Sequence, residues 1–264
     1  MFADYHVHSF YSDDSTAPME DMVKRAVSMG LDEICFTEHV DHGVKAVTNC
    51  DYAAYFDGLA AMRARYGGQI AIRAGIEFGV QVHTVPLYEE DFRNWPFDFV
   101  IMSCHQVDDK EFWRGDFQRG KTQDEYHSAY YSEIDGCCQR FQNYSVLGHL
   151  DVIRRYDPAG EYPDEKTVPL AEPILRRVIA DGKGIEINTS SFRYGLRDLT
   201  PSRRLLERYR DLGGELLTIG SDAHSPEHLA DHIPEVRDLL ETMGFRWFCT
   251  FAGMKPVWHT LRRV

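Results

Sequence analysis

The chain has 264 residues, 43% hydrophobic and 27% charged, which supplies a substantial core and suits one α/β barrel spanning residues 1–264 better than two small domains. Its 29 Lys and Arg face 42 Asp and Glu, a formal charge of -13 that opposes binding of nucleic acid or an anionic membrane by the surface as a whole. No apolar run approaches the roughly 18 residues of a membrane helix, and a ligand-type histidine pair stands too near Met1 for a cleaved export signal ahead of it, so a cytoplasmic protein with reduced cysteines is expected.

Apolar strand-like runs alternate with amphipathic helical ones. Phe2 to His8 reads as a strand, and a helix follows from near Pro18, with Met19, Met22, Val23, Ala26 and Val27 as its stripe and Gly30 as its stop. Then come a strand at Glu33 to Thr37, a helix at Tyr52 to Tyr66, and strands at Ile70 to Ile76 and Phe97 to Ser103. The alternation continues without a linker through a helix at Glu125 to Phe141, a strand at Ser145 to Leu150, a helix at Pro169 to Asp181 and a strand at Gly184 to Ile187. Pro201 to Leu212 reads as a helix capped by Thr200, followed by a strand at Glu215 to Ile219, a helix at Pro226 to Met243 and a β-like run at Phe245 to Phe251. Val40 to Cys50, Val80 to Pro96, Gln106 to Thr122 and Arg154 to Val168 read as irregular pocket walls beyond strand ends. About seven strands, mostly separated by helices, imply parallel pairing in a closed or nearly closed barrel. The open, doubly wound alternative calls for a glycine-rich turn after the first strand, where this chain has His8-Ser9-Phe10-Tyr11-Ser12-Asp13-Asp14.

The chemistry gathers at the strand ends. His6 and His8 share one face of an extended chain about 6.6 Å apart, with Asp14 six residues beyond; His39 follows the second strand, Glu77 ends the third, His105 follows the fourth, His149 the fifth, and Asp222 and His224 the seventh. A histidine beside a strand is more often a packed or surface residue, which is how His83, His127, His228, His232 and His259 are read; common registration sets the other six apart. Three carboxylates in such a crowd are costly unless cations compensate them. Nine ligands exceed the needs of one tetrahedral ion and suit two or three, with Glu77 able to bridge two of them around an activated hydroxide. Phosphate-ester hydrolysis fits this cluster best, while amide or lactone hydrolysis could use the same geometry. Ser221 lacks a Gly-x-Ser-x-Gly elbow, and no P-loop is present. Arg154 and Arg155 follow the His149/Asp151 strand end, and Arg193 and Arg197 follow Asn188-Thr189-Ser190, so both pairs are candidate phosphate clamps; pairing with acids such as Asp157 and Asp198 is their other use.

Asp4-Tyr5-His6-Val7-His8-Ser9, Phe10 to Ser15, Thr37-Glu38-His39-Val40-Asp41, Gly75-Ile76-Glu77, Ser103-Cys104-His105, Gly148-His149-Leu150-Asp151 and Ser221-Asp222-Ala223-His224 closely resemble the PHP (polymerase and histidinol phosphatase) family over essentially the whole chain. Glu186 to Ser190 and Thr250-Phe251 are similar to its stand-alone phosphatase members. The resemblance implies a distorted seven-stranded β/α barrel and a trinuclear site. His6, His8, Glu77 and Asp222 would hold the first ion, Glu77, His105 and His149 the second, and Asp14, His39 and His224 the third, with Asp13 the alternative to Asp14. Glu77, His105, His149 and Asp222 become the expected catalytic groups, Arg155 and Arg193 the favoured clamps, and Zn, Mn or Fe the ions. The expected reaction is hydrolysis of L-histidinol phosphate by metal-activated hydroxide, with Asp41, Asp108 or Asp109 meeting the substrate ammonium. Action on another sugar, nucleotide or amino-alcohol phosphate is the alternative, and a metal-dependent polymerase-associated module is the non-enzyme reading. Monomer and dimer both stay open.

Overall fold

The computed structural model describes residues 1–44 and 49–261, so part of the Val40 to Cys50 stretch lies outside the described residues. β1 (Ala3–Val7) leads to α1 (Met19–Met29), β2 (Glu33–Phe36), the two-residue β3 (His39–Val40), α2 (Tyr52–Tyr66), β4 (Ala71–Gly79), α3 (Val85–Asn94) and β5 (Phe99–Ser103). A hairpin of β6 (Gln106–Val107) and β7 (Lys110–Glu111) precedes α4 (Gln123–Arg140), β8 (Val146–Leu147), α5 (Asp164–Ala180) and β9 (Gly184–Asn188). There follow α6 (Arg203–Asp211), β10 (Leu217–Gly220), α7 (Ile233–Thr242) and an antiparallel pair, β11 (Trp247–Ala252) and β12 (Lys255–Thr260).

The strands β1, β2, β4, β5, β8, β9 and β10 pair in that order, each parallel to the next. Their residues are almost all buried, as strands covered on both faces must be. β1 and β10 meet at a parallel Val7–Ala223 bridge, where the His8 N–H donates to the Ala223 carbonyl at 2.8 Å, so the seven-stranded sheet is a nearly closed barrel. β2 covers only the first half of β4, from Glu33 beside Ala71 to Phe36 beside Ala74. After a break at Thr37 and Glu38 the chain resumes as β3, which sets His39 beside Glu77. Thr37 bridges the break to β1, donating its N–H to the Val7 carbonyl at 2.8 Å and accepting the Val7 N–H on Oγ1 at 3.1 Å.

Several expected elements are corrected. β4 runs on to Gly79, so Glu77 lies inside the strand rather than ending it. Val80 to Pro96 holds α3, with a proline in its first turn, and Gln106 to Thr122 holds the β6–β7 hairpin. The hairpin turn is Asp108-Asp109 at φ 53° and 56°, a left-handed conformation that short acidic side chains tolerate. α4 begins before Glu125, because Thr122 and Glu125 cap its end reciprocally. α5 starts at Asp164 and carries Pro169 and Pro173 within it, with two acids in its first turn. The cap of α6 is Ser202, whose hydroxyl accepts the Leu205 N–H at 3.3 Å; the Thr200–Pro201 bond ahead of it is cis. The helix expected from Pro226 to Met243 is a short 3-10 turn and α7, with Ala230 and His232 between them at positive φ.

Two apolar layers hold the barrel. The larger packs the helices onto the outer strand faces, while Ala3, Tyr5, Cys35, Phe99, Ile101, Val146, Cys249 and Phe251 fill the end where the strands begin. There the Tyr5 hydroxyl accepts the Phe251 N–H at 2.6 Å and donates to the Glu33 carboxylate, so β11 closes that mouth and leaves the opposite one for chemistry. All six cysteines are buried free thiols, and no helix among the described residues is long and apolar enough to cross a membrane.

Candidate metal centre

Glu77 is fully buried and ringed by imidazoles. Its Oε1 lies 2.8 Å from His149 Nε2 and 3.2 Å from His105 Nε2; its Oε2 lies 2.9 Å from His39 Nδ1, 3.2 Å from His6 Nε2 and 3.7 Å from His8 Nε2. Asp222 Oδ1 is 3.7 Å from His6 Nε2 and 3.6 Å from both His8 Nε2 and His224 Nδ1. Asp14 Oδ2 is 3.1 Å from His224 Nε2 and 3.5 Å from His39 Nε2, so Asp14 is the acid the structure sets against these rings. The His8 ring stacks between those of His39 and His224, each 4.2 Å away. The nine residues nominated from strand ends thus meet at one mouth of the barrel.

The electrostatics of the cluster follow from burial opposed by pairing. Burial pushes the Glu77 carboxyl up, but His6, His39 and His105 hold it well below its ordinary range. Burial pulls His105 down, while Asp41 and Glu77 together raise it to about 9. His8 is pushed well below its ordinary value by burial and by the neighbouring His224, His39 and His6. Its Nε2 is buried with no hydrogen-bond partner among the described residues, at 3.6–3.7 Å from two carboxylates. That spacing, too long for a hydrogen bond, suits groups that share a cation. Donor atoms lie within 4.8 Å of one another in His6/His8/Asp222, His6/Glu77/His149, His39/Glu77/His105 and His8/His39/His224. The sets share members, so the centre is one continuous array of nitrogen and oxygen donors able to coordinate divalent metal ions.

A cleft of about 390 Å³ opens over this array, lined beyond it by Asp13, Glu111, Phe112, Trp113, Arg155, Tyr156 and Tyr194. The four nominated arginines divide there. Arg155 reaches the cleft, its Nη2 donating to Ser190 Oγ at 2.5 Å and lying 3.8 Å from Asp222 Oδ2, with its guanidinium 3.7 Å from the Tyr194 ring centroid. Arg193 Nη2 donates to the carbonyls of Ser221 and Asp222, both at 2.8 Å, and so braces the turn where Asp222 has φ 55°. Arg154 pairs with buried Asp151 at 2.8 Å, and exposed Arg197 with Glu161 at 3.1 Å. Asp157 and Asp198 pair instead with His127 and Arg203. Of the acids expected near an ammonium, Asp41 lines the cleft and pairs with His105 at 2.8 Å, while Asp108 and Asp109 form the hairpin turn, where Asp109 accepts from Gln81 at 2.8 Å.

The sequence pattern of the PHP domain family matches residues 4–190, from β1 to the turn after β9. The chain belongs to the PHP domain family. A histidinol-phosphatase of Lactococcus lactis is 34% identical over 260 residues, covering 96% of this chain and 95% of that protein. A probable histidinol-phosphatase of Thermotoga maritima is 27% identical over 261 residues, covering 98% and 99%. The crystal structure of histidinol phosphate phosphatase from Lactococcus lactis complexed with zinc, L-histidinol and phosphate superposes with a TM-score of 0.85 at 31% identity, over 97% of this chain and 98% of that one. The PHP match stops at Ser190, so Asp222 and His224 lie outside it and reach the centre because β10 closes against β1.

Around this PHP centre stand side chains to which the sequence motifs assigned no role. Ser103 Oγ donates to Glu77 Oε1 at 2.7 Å, and Ser12 Oγ lies 3.0 Å from His8 Nδ1. Buried Glu38 accepts the Ser9 N–H at 2.9 Å and the hydroxyls of Ser9 and Ser12 at 2.6 and 2.7 Å, fixing the loop that follows β1. Gly79 is required where Asp41 approaches His105, since a Cβ there would lie 1.8 Å from Asp41 Oδ1. Glu186 contacts His6 Nδ1 and accepts the His149 N–H at 2.8 Å. A signal for Glu186 does exist in the sequence: Glu186 and Asn188 alternate with Ile185 and Ile187 in a wholly buried strand, which places two polar groups on one face.

Proposed function

We propose that this metal-binding PHP-family phosphoesterase hydrolyses L-histidinol phosphate to L-histidinol and inorganic phosphate. The observation that carries the reading is the Glu77 carboxylate, with four imidazole nitrogens within 3.2 Å of its two oxygens beneath an open cleft. His6, His8, Glu77 and Asp222 would hold one ion, Glu77, His105 and His149 a second, and Asp14, His39 and His224 a third. Zinc, manganese or iron bound there supplies Lewis acidity that activates water and draws charge from phosphoryl oxygens. The crystal complex of the Lactococcus lactis relative with zinc, L-histidinol and phosphate supports both the ions and the substrate class.

The protein's own groups would bind and orient the ester. Arg155, its guanidinium 3.7 Å from the Tyr194 ring centroid, would offer its fork to phosphate oxygens at the edge of the donor array. Phe112, Trp113 and Tyr156 present rings to an imidazole, and Asp13 adds negative charge for its ammonium, whereas Glu111 is already paired with Arg114 at 2.7 Å. Another small phosphomonoester is the second reading, since the same array serves any ester that the cleft admits. Phosphate release by the metal-replete protein, measured for L-histidinol phosphate beside sugar, nucleotide and other amino-alcohol phosphates, decides between them. The proposal expects kcat/KM for histidinol phosphate to exceed the others by at least about 100-fold, a difference of about 2.7 kcal/mol. Equal or better turnover of an unrelated ester would favour the second reading.

A further inference from the structure

β9 is the barrel strand that contributes none of the nine groups of the metal centre, yet it touches three strand ends that do. Glu186 and Asn188 lie two residues apart on β9 and are fully buried. One Glu186 oxygen contacts His6 Nδ1 on β1; the other accepts the His149 N–H, just past β8, at 2.8 Å. Asn188 Nδ2 lies 3.4 Å from that second oxygen and 3.4 Å from Asp222 Oδ2, beyond β10. Asn188 Oδ1 in turn accepts the Ser190 N–H at 3.0 Å, and Ser190 Oγ receives Arg155 at 2.5 Å. The space is fully taken: a Cβ on Gly220 would stand 2.3 Å from His6 Cβ and 2.8 Å from Glu186 Oε1, the oxygen that contacts His6.

We propose that Glu186, seconded by Asn188, is the positioning residue of the metal centre. Its two oxygens face the His6 Nδ1 and the His149 N–H, so with an ion on Nε2 the one His6 proton would sit on Nδ1, and the Nε2 lone pair would face Glu77 and Asp222. The same carboxylate ties His6 to the His149 backbone, so the spacing between two ligands from different strands is set by one side chain. Carboxylates behind metal-binding histidines act in this way generally. The inference rests on the metal reading above and assigns work to a residue that holds no ion itself.

The substitution Glu186→Gln separates the possibilities, because it preserves shape and removes charge. Its amide must point NH₂ either at His6 Nδ1, forcing the proton to Nε2, or at the His149 N–H, where two donors meet. Competition of a chelator against the zinc-loaded, full-length protein should show zinc held about 10–100-fold more weakly in Glu186→Gln than in the wild type. Nitrogen-15 NMR of the zinc-loaded wild type should show the His6 proton on Nδ1. A His6 proton on Nε2 in the wild type overturns the proposal without any variant, and so does a folded Glu186→Gln protein with unchanged zinc affinity. A wild type that binds no zinc in the same competition would instead refute the metal reading on which this one rests.

Discussion

At the scale of single residues, Glu77 has both oxygens engaged by imidazoles, so its charge and its two-sidedness act together. Glu77→Gln should lower metal content by more than one ion per chain and phosphatase efficiency by at least about 100-fold. Elemental analysis that found one ion lost alone would contradict a bridging role. Arg155→Ala should cut kcat/KM by about 100–1,000-fold while metal content and the unfolding transition stay as in the wild type, and lysine should restore only part. Kinetics close to wild type in the alanine variant would remove Arg155 from phosphate recognition. Away from the centre, His127 is buried under Tyr162, whose ring lies 3.8 Å away, and its Nε2 is 2.7 Å from Asp157. Burial holds this imidazole below its ordinary 6.5 despite the carboxylate. The unfolded chain therefore takes the proton first, and the stability contributed by neutral His127 is present above about pH 6.5 and lost as pH falls through the lower folded value. Denaturant titrations at pH 7 and pH 5 should show a smaller acid loss for His127→Gln than for the wild type; equal losses would assign the acid sensitivity to other groups.

At the scale of elements, periodicity located the longer helices and most strands, and it failed where a few residues set the boundary. α3 buries only Val85 and Tyr88, too short a stripe to register, and its proline reads as a breaker until it is seen in the first turn, where no N–H is needed. α6 shows the same limit at its start. Thr200 is the cap expected ahead of Pro201, yet it is Ser202 Oγ that meets the Leu205 N–H, while Thr200 Oγ1 is buried without a hydrogen-bond partner among the described residues. Ser202→Ala should cost about 1 kcal/mol in equilibrium unfolding. Thr200→Val, which replaces an unpaired hydroxyl with a methyl of the same shape, should be neutral or slightly stabilising. The reverse order would restore Thr200 as the cap.

At the scale of the whole molecule, the barrel has a chemical mouth and a sealed one. Phe251 plugs the sealed end, packed with Phe99 at a 5.0 Å ring separation and bonded through its N–H to Tyr5 Oη. Phe251→Ala should cost about 3–5 kcal/mol of unfolding free energy without changing the metal stoichiometry of the folded protein, since the centre lies at the other end of the strands. Metal lost in step with stability would mean that the two ends are coupled. The sequence alone determined the barrel class and nominated the nine groups that meet at one mouth, because strand-helix alternation is a local pattern and each group stands within several residues of a strand end. Only the tertiary structure decided which oxygen meets which imidazole, that Arg155 faces the cleft while Arg154, Arg193 and Arg197 turn elsewhere, and that Glu186 joins two strands. Those outcomes depend on contacts between residues far apart in the chain, such as Asp4 with Ser221 at 2.9 Å across 217 positions, and on the space left when β10 closes on β1. Local periodicity contains no record of that closure, because it comes from packing the whole sheet.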